Sequence, residues 1–117
     1  MSVTVEQAAA ALRRRAAEDK ARAQARAAAL SARLPHARAV LTEKYGATRV
    51  LLFGSLASGD VHATSDVDIA VEGLQPVAYF DALSDLMDVF EVRVDLVRLE
   101  TASPSLRERI EAEGQTL

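Results

Sequence analysis

The sequence predicts an α/β (α+β) domain: a small mixed β-sheet with flanking helices and a long N-terminal helix. Three observations carry this prediction. The segments "TRVLLFGS", "SDVDIAVEG" and "EVRVDLVRL" are short, rich in Val, Leu and Ile, and read as strands. Around them lie stretches whose apolar residues recur at helical spacing. A chain of 117 residues suits one domain with one modest core, and no internal repeat divides it. The predicted order is helix, helix, strand, strand, helix, strand, helix, with residues 1–34 as an Ala/Arg-rich helix and 35–117 as the compact domain.

Each element has its own signal. Thr4 and Gln7 have the spacing of a capping box. The helix they open runs to Leu34. Its stripe is Val5, Ala9, Leu12, Ala16, Ala23, Ala27, Leu30 and Leu34, interrupted by Asp19. Alanine favours helix but buries little apolar area, so this helix should form readily, pack weakly, and project or dock on a partner. Pro35 opens a second helix that ends near Tyr45, with Gly46 as its cap. The first strand stops at Gly54. The second carries Val67, Ile69 and Val71 on one face and Asp66, Asp68 and Ala70 on the other. Pro76 opens a helix to about Asp88, with Val77, Phe80, Leu83 and Met87 as its buried stripe and Asp81, Asp85 and Asp88 on its wet side. In the third strand Val92, Val94 and Leu96 oppose Arg93, Asp95 and Val97. Ser103 and Pro104 cap and start a last helix, which closes before Gly114.

Composition narrows the function classes. The absence of cysteine removes disulfides and thiolate metal sites and fits a reducing compartment, so a cytoplasmic location is expected. No apolar run approaches the ~20 residues of a membrane-spanning helix, and "MSVTVEQ" does not read as a secretory signal. Charge is uneven: residues 1–49 hold ten Lys/Arg against four Asp/Glu, and residues 50–117 hold four against thirteen. A basic half of this kind is most simply a solvated helical face, and it can also meet an acidic partner, nucleic acid, or its own acidic half. Arg13, Arg14 and Arg15 have no interleaved aromatics for base stacking, so nucleic acid is not the expected partner. His36 and His62 stand alone and offer no metal spacing.

The chemistry sits in "VLLFGSLASGDVHATSDVDIAV", residues 50–71. Two aspartates at i and i+2 on a strand share a face, roughly 7 Å apart along the backbone. If the strand of Asp95 pairs in register, three carboxylates meet on that face. Such a cluster repels itself unless cations neutralise it, and hard oxygen ligands select Mg²⁺ or Mn²⁺. Two such ions suit in-line displacement at phosphorus. Gly54 lets backbone approach a ligand, and Ser55 can offer its hydroxyl and N–H to phosphate oxygens, with a plain helix cap as the lesser alternative for Ser55. Gly59 keeps the turn compact.

The pattern Gly-Ser, ten residues, Asp-x-Asp resembles the nucleotidyltransferase superfamily that includes DNA polymerase beta. "YGATRVLLFGSLASGD", "TSDVDIAV", "VRVDLVRLE" and "LRERIEAEG" look like its minimal bacterial members, the MNT proteins, over residues 36–114. The resemblance implies a nucleotidyltransferase fold in which Gly54 and Ser55 bind nucleotide phosphates. Asp66 and Asp68 would hold two Mg²⁺ ions, and Asp95 would complete one metal site and help deprotonate the acceptor. It implies ATP as substrate and AMP transfer to a protein hydroxyl, as in antitoxins that adenylylate a HEPN-type toxin, within homo- or hetero-oligomers. A second expectation is a module that neutralises its partner by contact, with little catalysis. This chain carries Leu56 and Ser58 where the family's turn has an aromatic residue and an arginine. Arg49, Arg93 or a partner residue would then supply the missing cation.

Overall fold

Residues 3–117 are described in this computed structural model. Helix α1 spans Val5–Ser31. Its capping box forms as the sequence predicts: Gln7 N–H donates to Thr4 Oγ1 and Thr4 N–H to Gln7 Oε1, each at 3.1 Å. Leu30 is buried near its end, whereas Val5 and Leu12 are exposed, and the molecule extends 62 Å along its longest axis. The helix stops before Leu34, because the chain turns there into α2, Leu34–Ala39, with Pro35 in its first turn. A π-helical turn, Val40–Lys44, follows, and Gly46 at φ +72° closes it.

Four strands build one sheet: β1 (Arg49–Phe53), β2 (Val67–Glu72), β3 (Val94–Arg98) and β4 (Gln115–Thr116), in the order β3-β2-β1-β4. β1 is antiparallel to β2 and to β4, and β2 is parallel to β3. The sheet is therefore mixed. β4 was not foreseen, since two residues leave no periodicity to read. A short helix α3, Gly54–Ser58, leaves β1. A 3₁₀ turn, Pro76–Ala78, and α4, Tyr79–Phe90, form the crossover between the parallel strands. Helix α5, Pro104–Glu113, is capped by the Ser103 hydroxyl, which accepts from Leu106 N–H.

Strand alternation divides the core in two. Val50, Leu52, Val67, Ile69, Val71, Val94 and Leu96 face a layer made by Leu30, Ala37, Leu41, Ala82, Leu86 and Phe90. Leu51, Ala70 and Leu99 face the other way and pack on Ile110 of α5. α5 covers only part of this second face. Asp68 and Asp95 lie on the same face, the first half-buried and the second exposed.

The buried stripe of α4 is not the predicted one. Val77 is 92% exposed, Phe80 78% and Met87 44%, while Ala82, Leu86 and Phe90 are buried and only Leu83 of the expected set packs against the core. The acids explain the phase. At about 100° per residue, the exposed Asp81 and Asp88 lie on the side away from Leu86 and Phe90, so solvating them turns the Ala82, Leu86 and Phe90 face inward.

Candidate active site

The apolar run of β1 ends where Gly54 takes φ +72°, a conformation that costs glycine little. What sequence suggested as a turn is the helix α3, closed by Gly59 at φ +84°. Gly54 is also required sterically. A Cβ at this position would overlap the Asp68 carboxylate and lie 2.9 Å from its Cγ. Glycine therefore brings the end of β1 directly against Asp68. Ser55 follows in the first turn of α3, where backbone N–H groups have no acceptor within the helix. Ser58 is occupied locally: its hydroxyl donates to Ser55 O at 3.2 Å and accepts from Asp60 N–H at 3.4 Å.

Strand register brings two of the predicted carboxylates together. Phe53 pairs with Asp68 across β1 and β2, and Asp68 pairs with Asp95 across β2 and β3. Phe53, Asp68 and Asp95 thus form one row across three strands. Asp66 is placed differently from expectation: β2 begins at Val67, so Asp66 ends the preceding loop instead of sharing the strand ladder. That loop folds on itself, with His62 N–H donating to Ser65 Oγ at 2.7 Å and Ser65 N–H to His62 O at 3.1 Å. Arg26 of α1 donates through Nε to Ser65 O at 2.7 Å. A residue distant in sequence thereby holds the peptide unit that enters Asp66.

Burial raises the Asp68 pKa above the usual carboxylate range, and the neighbouring charges of Asp95 and then Asp66 raise it further. A divalent cation would relieve this repulsion, and carboxylate oxygens are the donors that Mg²⁺ prefers. The donor set of Asp68 and Asp95 fits such an ion. Among the described residues, no three His, Cys, Asp or Glu side chains stand gathered tightly enough to hold a metal as they are. Asp66, outside the ladder, is not in register with the other two.

The expected substitutes for the turn arginine divide. Arg49 begins β1, at the end opposite Gly54, and forms a bidentate pair with Glu111 at 2.8 and 2.9 Å. It cannot serve the Gly54 end. Arg93 stays near, with Nη2 3.7 Å from Asp95 Oδ1. Sequence reasoning missed Arg109. A cleft of about 140 Å³ is lined by Phe53, Gly54, Ser58, Arg109, Ile110 and Glu113. The signal was present: Leu106, Arg109, Ile110 and Glu113 fall on one helical face, and Ile110 is its buried anchor.

Comparisons with known proteins agree with this geometry. Residues 37–117 match the family described as polymerase beta, nucleotidyltransferase. The chain is 35% identical over 71 residues to the protein adenylyltransferase MntA of Shewanella oneidensis, covering 58% of this chain and 51% of that one. It thus spans about half the length of that relative. A crystal structure of a toxin–antitoxin with AMP-PNP superposes with a TM-score of 0.61 at 29% identity, covering 69% of both chains. A minimal nucleotidyltransferase superposes with a TM-score of 0.64 at 32% identity, covering 75% of this chain and 95% of that one. The match over more than half the chain, on a mixed sheet that sets Gly54 against a carboxylate row, means that this chain belongs to the polymerase beta nucleotidyltransferase family.

Proposed function

We propose that this protein is a Mg²⁺-dependent nucleotidyltransferase that moves AMP from ATP to a hydroxyl group of a partner protein, acting as an antitoxin on a HEPN-type toxin in the cytoplasm. The carrying observation is the register of Asp68 with Asp95 beside the close approach of Gly54. The adenylyltransferase relative and the toxin–antitoxin neighbour with AMP-PNP support the substrate and partner.

In this reading Asp68 and Asp95, with Asp66 at the entry to β2, would hold two Mg²⁺ ions, and these would neutralise the triphosphate and polarise the α-phosphorus. Gly54 leaves room for the phosphates, and Ser55 N–H and hydroxyl hold their oxygens. Asp95, the exposed member of the row, accepts the proton of the acceptor hydroxyl. The acceptor oxygen bonds to the α-phosphorus, the bond between that phosphorus and the bridging oxygen to the β-phosphorus breaks, and pyrophosphate leaves.

One observation favours the contact-module reading. α1 leaves Val5 and Leu12 exposed on a basic helix, a surface suited to an acidic partner. The two readings separate in one experiment. Purified protein, Mg²⁺ and ATP labelled at the α-phosphate are added to lysate of the host, beside an Asp68→Asn control. The expected result is a labelled protein band that vanishes in the control. An unlabelled partner that still co-purifies would favour neutralisation by contact.

A further inference from the structure

We infer that Arg109 of α5 is a phosphate-pairing residue for the nucleotide, a role that rests on the reading of the carboxylate row as a nucleotidyl-transfer site. Four observations converge on it.

The cleft containing Arg109 opens beside Gly54 and Ser58, and Phe53 forms part of its wall. Phe53 pairs with Asp68 across the sheet and Asp68 with Asp95, so the cleft lies one strand from the carboxylates. A nucleotide whose phosphates lie against Gly54 would meet this cleft next.

The other arginines of the acidic half are engaged. Arg93 sits 3.7 Å from Asp95, Arg98 donates to Leu74 O, and Arg107 reaches Glu72 at 3.2 Å and Leu99 O at 3.3 Å. Arg109 has no ion pair or hydrogen-bond partner among the described residues. α5 therefore carries one arginine that ties the helix to the sheet and one that faces the cleft.

The helix is firmly placed. Ile110, next to Arg109, is buried against Leu51, Ala70 and Leu99, and Gly114 packs a hydrogen-bonded turn on Ile110 O. The buried Ile110 fixes the backbone from which Arg109 extends, so the guanidinium is tethered beside the cleft.

The local charge has a direction. Glu113 lines the same cleft and does not bridge to Arg109, so the cation is not neutralised there. Guanidinium groups pair with phosphate in fork geometry, and charge-assisted bonds of this kind are the strong ones.

The test compares ATP, AMP and inorganic tripolyphosphate in the presence of Mg²⁺, by equilibrium titration of the full chain. Variants are Arg109→Ala, Arg109→Lys and, as a control on the same helix, Arg107→Ala. Loss of a charge-assisted bond to phosphate predicts about ten- to hundredfold weaker binding of ATP and tripolyphosphate by Arg109→Ala. AMP binding should change less than about twofold, Arg109→Lys should recover part of the loss, and Arg107→Ala should lower thermal stability but leave the ATP-to-AMP ratio intact. Equal weakening for ATP and AMP, or unchanged ATP binding by a folded Arg109→Ala, would overturn the assignment. Wild-type protein that binds neither ATP nor tripolyphosphate would instead overturn the nucleotidyl-transfer reading itself, and this assignment with it.

Discussion

At the scale of single residues, the site is a set of opposed demands. Asp68 is half-buried beside Asp95, and both burial and like charge work against its ionised form. Asp68→Asn removes that repulsion at almost constant volume. In metal-free buffer it should therefore raise the unfolding midpoint while abolishing transfer; a lower midpoint would show that the carboxylate is a structural partner. Gly54 makes the converse case. Gly54→Ala needs a left-handed backbone and places a methyl group on the Asp68 carboxylate, so a loss of about 1–3 kcal/mol is expected in urea denaturation. A neutral result would mean that α3 can move away freely. The Gly-Ser and Asp-x-Asp residues were legible in the sequence because each side chain is unusual for its local run. Asp66's exact position was not, because a strand boundary one residue away leaves no mark in composition.

At the scale of elements, α4 shows where periodicity misleads. Its sequence has apolar residues at two helical phases, and only the acids decide between them. Leu86→Ala should cost about 2–5 kcal/mol, and Phe80→Ala less than about 0.5 kcal/mol, in chemical denaturation. The reverse order would restore the stripe expected from sequence. α4 also docks through Asp85, which accepts from Lys44 Nζ and Tyr45 Oη, each at 2.6 Å. The bond to Lys44 first, then that to Tyr45, lowers the Asp85 pKa. A lowered folded pKa adds stability above the unfolded carboxylate value, and that stability disappears as pH falls through the folded value. The stability difference between wild type and Asp85→Asn should accordingly shrink to nothing in acid, and a gap that persists there would point to packing alone. α1 is held by features that an apolar stripe does not record. Leu30 anchors it and Arg26 donates to Ser65 O at 2.7 Å, while Arg33, in the turn just after the helix, donates to Phe90 O at 2.7 Å. Arg26 and Leu30 share one face of α1 and Arg33 follows just beyond its end; two of the three are arginines, so the stripe seemed weaker than the docking face is.

At the scale of the whole molecule, a basic helical arm adjoins an acidic nucleotidyltransferase domain. A groove of about 480 Å³ separates α1 from the segment after α3, with Lys20, Gln24 and His62 among its walls. No helix among the described residues is long and apolar enough to cross a membrane. The exposed first half of α1 contributes little to the core, so removing residues 1–18 should leave the thermal midpoint nearly unchanged. Removing residues 1–33 also deletes Arg26, Leu30 and Arg33, and the midpoint should fall clearly; equal midpoints would mean that the helix is not docked. The fold class was legible because three apolar runs and their separating helices leave few ways to build a sheet. The parallel pairing that sets Asp95 beside Asp68 was a condition in the sequence and a fact only in three dimensions.

The central claim is that the Asp66, Asp68 and Asp95 carboxylates form a cation-dependent nucleotide site. Counting Mn²⁺ bound per chain in the presence of a nonhydrolysable ATP analogue tests it most directly, using wild type, Asp68→Asn and Asp95→Asn. Two ions per wild-type chain, with loss of ions and of cation-dependent nucleotide binding in both variants, is the predicted result. Cation-dependent nucleotide binding that survives unchanged in both variants would contradict the account.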